Sequence, residues 1–423
     1  MILIKDGRVI DPKSETDEVL DLIIDNGKII GIGKFAKSDE YERIIDARGK
    51  IVAPGLVDVH VHFRDPGLTY KEDLETGAAA AAAGGYTTVI CMANTKPVVD
   101  TTEILEDLRN RAEKLPIHVL NTAAVTKWLQ GVELTDMAAL LDAGAAGFTD
   151  DGIPISDVKL LLAAMETAKE LNVPISLHEE DPNLIGSFGV NQGPVSEKVG
   201  VPGAPALAEE TLTARDGLLA LKTGARVNIQ HISSRTSVDI VRMLKKLGAN
   251  LFAEVTPQHF SLTEQAVLEK GTLAKVNPPL RTETDRYGLI EGLKDGTIDI
   301  IATDHAPHSR EEKAKEIHEA PSGMIGLETA LALGITNLVR KGHMTMIQLL
   351  EKMTVNPAAL YHLNCGTICE GGAADLVIFD ERERWIVDGD CFYSKSANSP
   401  FIGQELFGKV KYTICRGSVV YED

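Results

Sequence analysis

The first fifty residues read as short apolar runs broken by turn signals. MILIKDGRVI, VLDLIIDNGKIIGIG and RIIDARGKIVAPG are rich in β-branched residues and are interrupted by Asp-Gly and Asn-Gly pairs, which favour tight hairpins. The same texture returns near the other end in ADLVIFDERERWIV and VKYTICRGSVVYED, where apolar and polar residues alternate. Residues 1–52 and 365–423 are therefore expected to form one small β domain, a β-sandwich assembled from both chain ends.

Between them the pattern changes. Apolar runs at 56–61 (LVDVHV), 87–92, 117–120, 146–148, 174–178, 226–230, 250–255 and 298–302 alternate with stretches of helical periodicity. TTEILEDLRNRAEKL, SDVKLLLAAMETAKEL, ALAEETLTARDGLLALKTG and RTSVDIVRMLKKLG are such stretches, and a last helix is expected from Gly323 to Lys341. Eight strand–helix units predict an α/β protein whose residues 53–364 form a (β/α)8 TIM barrel. The run Ala78 to Ala83 reads as a closely packed helix surface rather than a linker.

Composition narrows the partners. The 423 residues carry 43 Lys plus Arg against 62 Asp plus Glu, a formal charge of −19, which argues against nucleic acid because phosphate recognition needs a basic patch. A hydrophobic fraction of 44% with 25% charged residues is that of a soluble globular chain. No apolar run is long enough to span a bilayer, and the N-terminus meets charge at Lys5 before a signal-peptide core can form. The expected location is the cytoplasm. Cys91, Cys365, Cys369, Cys391 and Cys415 are an odd set without a CxxC pair, read as reduced thiols that mostly serve packing.

The strongest chemical signal is Asp58-Val-His60-Val-His62-Phe-Arg64-Asp65-Pro66-Gly67 at the end of the first barrel strand. Side chains alternate faces along a strand, so His60 and His62 point the same way, into the barrel mouth. Alone, two such histidines are more often satisfied core residues. Here His178 closes the fifth strand, His231 the sixth and Asp304 the eighth, while Asp150 and Asp151 follow the fourth. Catalytic groups in such barrels sit at the C-terminal strand ends, and imidazoles mixed with carboxylates suit zinc. Six ligands exceed one tetrahedral ion, so two metals with a bridging aspartate, Asp151 or Asp150, are expected to hold and activate a hydroxide. Asp304, whose bland alternative is a helix cap, is the candidate acid/base for the leaving nitrogen. The chain has no GxxxxGK[ST], no strand-borne GxGxxG and no GxSxG. Cys91 reads as a small buried hydrophobe rather than a nucleophile.

DVHVHFRDPG (58–67), MANTKPVVD (92–100), GFTDDG (147–152), KVNPPLRT (275–282) and TDHAPHSREEK (303–313) resemble, across essentially the whole chain, the bacterial class I dihydroorotase family of the amidohydrolase superfamily. The Arg-Asp-Pro-Gly continuation and the Asn94 segment are its narrowest pieces. The resemblance implies a barrel of the metal-dependent hydrolase type and the reversible interconversion of N-carbamoyl-L-aspartate and L-dihydroorotate. It implies two Zn2+ per subunit: His60, His62 and Asp304 on one, His178 and His231 on the other, and Asp151 bridging, with Asp150 left as a loop or cap residue. It further implies that Arg64 and Asn94 bind the substrate α-carboxylate beside His62, with Asn277 and His308 completing the pocket. Ser322 and Gly323 would hold the ring through their main chain, since relatives often carry an aromatic residue where Ser322 stands.

The fourth-strand segment offers no lysine for the carboxylated-lysine bridge of hydantoinases and allantoinases. Those enzymes are the nearest alternative, and Arg64 discriminates because a neutral ring has no use for its donor fork. A catalytically silent partner of aspartate transcarbamoylase is the alternative from another class, and all six ligands speak against it. A homodimer and association with aspartate transcarbamoylase stay open. The polar loop HSREEKAKEIHEAPSG after the eighth strand is expected to be a mobile segment over the site.

Overall fold

A computed structural model describes residues 1–37 and 40–423. The N-terminal part forms five strands: β1 (Ile2–Asp11), β2 (Thr16–Asp25), β3 (Lys28–Gly33), β4 (Arg43–Asp46) and β5 (Ile51–Pro54). Asn26 and Gly27, at φ of +47° and +76°, supply the two left-handed positions that a tight β2–β3 hairpin needs. Strands β6 (Leu56–Val61), β7 (Tyr86–Cys91), β8 (His118–Asn121), β9 (Phe148–Thr149), β10 (Ile175–Leu177), β11 (Val227–Ile229), β12 (Leu251–Val255) and β13 (Ile300–Ile301) follow. Finally β14 (Leu376–Ile386), β15 (Glu405–Cys415) and β16 (Ser418–Glu422) return to the first group.

Hydrogen bonding runs through the end strands as one eight-stranded sheet ordered β16-β15-β14-β5-β1-β2-β3, with β4 added on β1. β5 joins the two chain ends, since it pairs parallel with β1 and antiparallel with β14. This sheet has its own core, including Ile4, Val9, Leu22, Ile24, Ile45, Leu376 and Ile414.

The middle strands are all parallel and lie in two sheets, β6-β7-β8 and β13-β12-β11-β10-β9. Parallel bridges Val61–His305 and Ala123–Phe148 connect β6 to the end of β13 and the end of β8 to β9. β6 and β7 are buried at every position, as expected of strands covered on both faces. Helices Leu74–Ala83, Thr102–Ala112, Val158–Glu170, Ala206–Thr223 and Arg235–Lys246 lie where the periodicity places them. The first of them packs its alanines inward, with Ala78, Ala80 and Ala81 at 0% exposure.

The last helix differs from expectation. It begins at Ala330, not Gly323, and continues as a π-turn over Ile335–Val339. Gly323 has φ +132°, Met324 pairs with His305 as an added strand position, and the Gly326 N–H donates to His305 Nδ1 at 3.2 Å. These contacts tie 323–326 to the end of β13 and leave no room for helical turns. Among the described residues no helix is long and apolar enough to cross a membrane.

Candidate active site

The C-terminal ends of the parallel strands meet around a cavity of about 170 Å³. β6 delivers His60 and, one step beyond its end, His62; Asp151, His178, His231 and Asp304 follow β9, β10, β11 and β13. His62, Asp151, His178, His231, Asp304, Arg64, Asn94, Asn277, His308, Ser322 and Gly323 all line this one cavity. His60 lies fully buried beneath it.

Asp151 stands at the centre. His60 Nε2 is 3.4 Å from Asp151 Oδ1 and His62 Nε2 is 3.5 Å from Oδ2. His178 Nδ1 and His231 Nε2 lie 3.9 and 4.0 Å from Oδ1, and 2.9 Å from each other. Asp304 Oδ1 is 3.0 Å from His62 Nε2 and 3.6 Å from His60 Nε2. Two donor triads result, His60/His62/Asp151 and Asp151/His178/His231, and each keeps its ligand atoms within 4.8 Å of one another. Asp151 belongs to both.

The donor set fits metal ions. His60 Nε2 and Asp151 Oδ1 are buried without a hydrogen-bond partner, a costly state for polar atoms unless something else takes their lone pairs. The charge states of Asp151 and His231 suit ligation as well, while, against burial, the surrounding carboxylates raise the pKa of His60 and His178, whose protons a bound cation would displace. Burial opposes ionisation of Asp151, yet His60, His62 and His178 hold its carboxyl well below the usual range. Burial, with His178 and His60 nearby, keeps His231 a neutral imidazole, the form that binds metal.

The candidate ligands are held from behind. Glu254 on β12 is fully buried, places Oε1 2.5 Å from His60 Nδ1, and accepts from the Asn228 side chain at 3.0 Å and the His231 N–H at 3.2 Å. Glu180 Oε2 lies 3.0 Å from His178 Nε2. Such outer carboxylates fix ring orientation and tautomer. Sequence reasoning missed both, although a glutamate inside the apolar run NLFAEV was a readable signal. Asp150 turns away: it accepts from the Val125 and Thr126 N–H groups at 2.8 and 3.0 Å and from the Thr126 hydroxyl, which makes it the loop residue of the pair. Burial pushes its carboxyl up to about 6.

The remaining expected residues form the cavity's other wall. Arg64 Nε donates to the Pro307 carbonyl at 3.2 Å, and no carboxylate of the described residues forms an ion pair with its guanidinium. Asn94 is engaged twice, its Oδ1 3.0 Å from His62 Nδ1 and its Nδ2 donating to Asp151 Oδ2 at 2.9 Å. Asn277 Oδ1 is buried and unpaired. His308 receives Lys71 Nζ at Nδ1 (3.2 Å) and donates from Nε2 to the Ser322 carbonyl at 2.9 Å. Burial and the cations Arg64, Lys71 and Lys313 push His308 down to about 2, so it is neutral, as that pairing requires. Arg64, His231 and Asp304 hold φ of +58°, +31° and +48°, left-handed conformations that are sparse outside glycine and concentrate at functional sites. Asp304 is thus no helix cap, and the next helix, Arg310–Lys313, is capped by Ser309. Burial pushes the Cys91 thiol far up, in keeping with a packing role, whereas Cys369 and Cys391 are exposed.

The loop after β13 is also unlike its expectation. Instead of lying free over the cavity, residues 308–323 are tied by side chains from inside: Lys313 Nζ donates to the Pro321 and Gly323 carbonyls, and Lys275 Nζ to those of Ile317 and Ala320.

Parallel strands ending on a shared histidine–aspartate cluster are the arrangement of a metal-dependent hydrolase. The structure is similar to the L-hydantoinase (dihydropyrimidinase) from Arthrobacter aurescens, with TM-score 0.89 and 27% identity over 100% of this chain and 96% of that one. It is similar also to a D-hydantoinase, with TM-score 0.86 and 25% identity over 100% and 95%. A family model described as dihydro-orotase-like matches residues 49–237. The dihydroorotase of Clostridioides difficile (strain 630) is 62% identical over 421 residues, covering 100% of both chains. That of Lactococcus lactis subsp. lactis (strain IL1403) is 56% identical over 100% of this chain and 99% of its own. The chain belongs to the dihydroorotase family and carries that family's activity.

Proposed function

We propose that the chain interconverts N-carbamoyl-L-aspartate and L-dihydroorotate as a two-zinc enzyme in the cytoplasm. Residues 53–364 act as a (β/α)8 barrel, and residues 1–52 and 365–423 as a composite β-sandwich domain. Eight parallel strands bridged at both sheet edges support the barrel. The separate core of the end strands supports the second domain. Five unpaired thiols support a reducing compartment.

The observation that carries the metal reading is Asp151, the one side chain common to both triads. His60, His62 and Asp304 would hold one ion and His178 and His231 the other, with Asp151 between them. Nitrogen donors mixed with anionic oxygens favour zinc, which when bound supplies Lewis acidity and activates water at neutral pH.

The remaining roles fall to the chain's own groups. Asp304 takes a proton during attack on the ring carbonyl and returns it to the ring nitrogen as the amide bond breaks; ring closure reverses both transfers. Arg64 offers a planar donor fork with no internal counter-ion, open to the substrate α-carboxylate. Asn94 supports that end of the site while orienting His62 and Asp151. The unpaired Asn277 Oδ1 is available to a ring N–H, and His308 with the main chain of Ser322 and Gly323 closes the ring subsite. An acidic protein thus binds a small anion because the local groups at the mouth oppose the global charge.

Steady-state assays with dihydroorotate and hydantoin, before and after chelation, test this reading. Turnover of dihydroorotate should vanish on metal removal and return with zinc. Preference for hydantoin, or turnover indifferent to chelation, contradicts it.

A further inference from the structure

Two of the motifs singled out in the sequence contain a buried lysine to which the chemistry above gives no role. Lys275 opens KVNPPLRT and Lys313 closes TDHAPHSREEK. Both are buried, at 6% and 5% exposure. Neither forms an ion pair with any carboxylate of the described residues. Burying an ammonium without a counter-ion is expensive, and lysines are seldom buried unless paired. A role in packing alone would be served better by methionine or leucine.

What these ammoniums meet instead is backbone. Lys275 Nζ donates to the Ile317 and Ala320 carbonyls, each at 2.7 Å, and Lys313 Nζ to those of Pro321 and Gly323, each at 2.9 Å. The Lys275 carbonyl accepts the Gly323 N–H at 2.9 Å, and the Thr272 hydroxyl donates to the Lys313 carbonyl. The Ser322 carbonyl, in the midst of this group, is taken by His308 Nε2. Asn398 completes the clamp: it donates to the Gly323 carbonyl at 3.1 Å and accepts the His308 N–H at 3.1 Å. Gly323 has no room for a side chain, since a Cβ there would lie 2.8 Å from Ala306 Cβ and 3.0 Å from His308 Nε2.

We propose that Lys275 and Lys313 are positioning residues of the dihydroorotase reaction, their side-chain Nζ groups fixing the main chain of residues 317–323 so that Ser322, Gly323 and His308 form a standing wall of the ring subsite. The segment is part of the site before substrate arrives, and its ordering cost is met by folding rather than by binding. The proposal rests on the reading that these three residues face the ring.

Its test is a kinetic split with a structural control. Lys275→Met and Lys313→Met are compared with the wild type for metal content, melting temperature, kcat and KM for dihydroorotate. We expect metal content to be unchanged and KM to rise tenfold or more, with a smaller fall in kcat. A lysine that served stability alone would lower the melting temperature and leave KM of the folded protein within twofold, and that outcome overturns the proposal. Hydrogen exchange of the wild-type protein decides the matter if either variant fails to fold: the Gly323 amide, which donates to the Lys275 carbonyl, should exchange as slowly as those of the parallel strands, and rapid exchange there overturns a standing wall. Turnover by the wild type in the same series tests the functional reading separately, because its absence sinks that reading whatever the exchange data show.

Discussion

Glu254→Gln separates a chain whose histidines are oriented by an outer carboxylate from one that merely contains them. Glu254 serves three donors at once: His60 Nδ1, the Asn228 side-chain amide and the His231 N–H. A carboxylate satisfies all three because both oxygens accept. Glutamine has one carbonyl oxygen. If it faces His60, its NH2 meets the Asn228 NH2; if it faces Asn228, its NH2 meets the His60 ring N–H. One buried donor is left unpaired in the first orientation and two, on His60 and His231, in the second, at about 1–3 kcal/mol each, and the charge that raises the basicity of His60 is gone. A cost of that size corresponds to roughly 10- to 100-fold weaker metal binding, the range found when outer-shell partners of metal ligands are replaced. Competition against a chromogenic chelator reads the affinity, and activity at saturating zinc reads what the added metal restores. Affinity and turnover equal to wild type would refute the claim that Glu254 fixes His60.

Three further outcomes are expected. Asp304→Asn should abolish turnover by at least about a hundredfold, the scale of general acid–base catalysis, while metal analysis still finds bound zinc; a near-normal rate removes the acid/base assignment. Arg64→Met should raise KM for dihydroorotate far more than it lowers kcat, and an unchanged KM would mean that the carboxylate is held elsewhere. Burial pushes Glu328 up to about 7, so its proton favours the folded state and the associated stability is lost as pH rises from its ordinary value of 4.5 toward 7. Melting curves from pH 5 to 8 should therefore fall less steeply for Glu328→Gln than for wild type, and parallel curves would count against that reading.

Much of this site was legible because β-structure turns sequence spacing into direction. His60 and His62, two apart at a strand end, had to face the same way, and the ends of the other parallel strands brought His178, His231 and Asp304 to the same place. The choice between Asp150 and Asp151 was not legible from spacing, since it depends on which carboxylate the Val125–Thr126 turn captures. Glu254 stood out as an acidic residue in an apolar run, but its role did not, because its partner lies 194 positions away. The helix expected from Gly323 starts late because His305 claims Met324 and Gly326, contacts that local periodicity does not encode. The loop read as mobile for its polar composition is held by Lys275, which lies 42 and 45 positions before the carbonyls it binds.

Anomalous diffraction at the zinc edge tests the shared carboxylate most directly. Two peaks flanking Asp151 are expected in active crystals, one against His60, His62 and Asp304 and the other against His178 and His231. Active crystals with no peak touching Asp151 would contradict the two-metal site on which the functional reading stands.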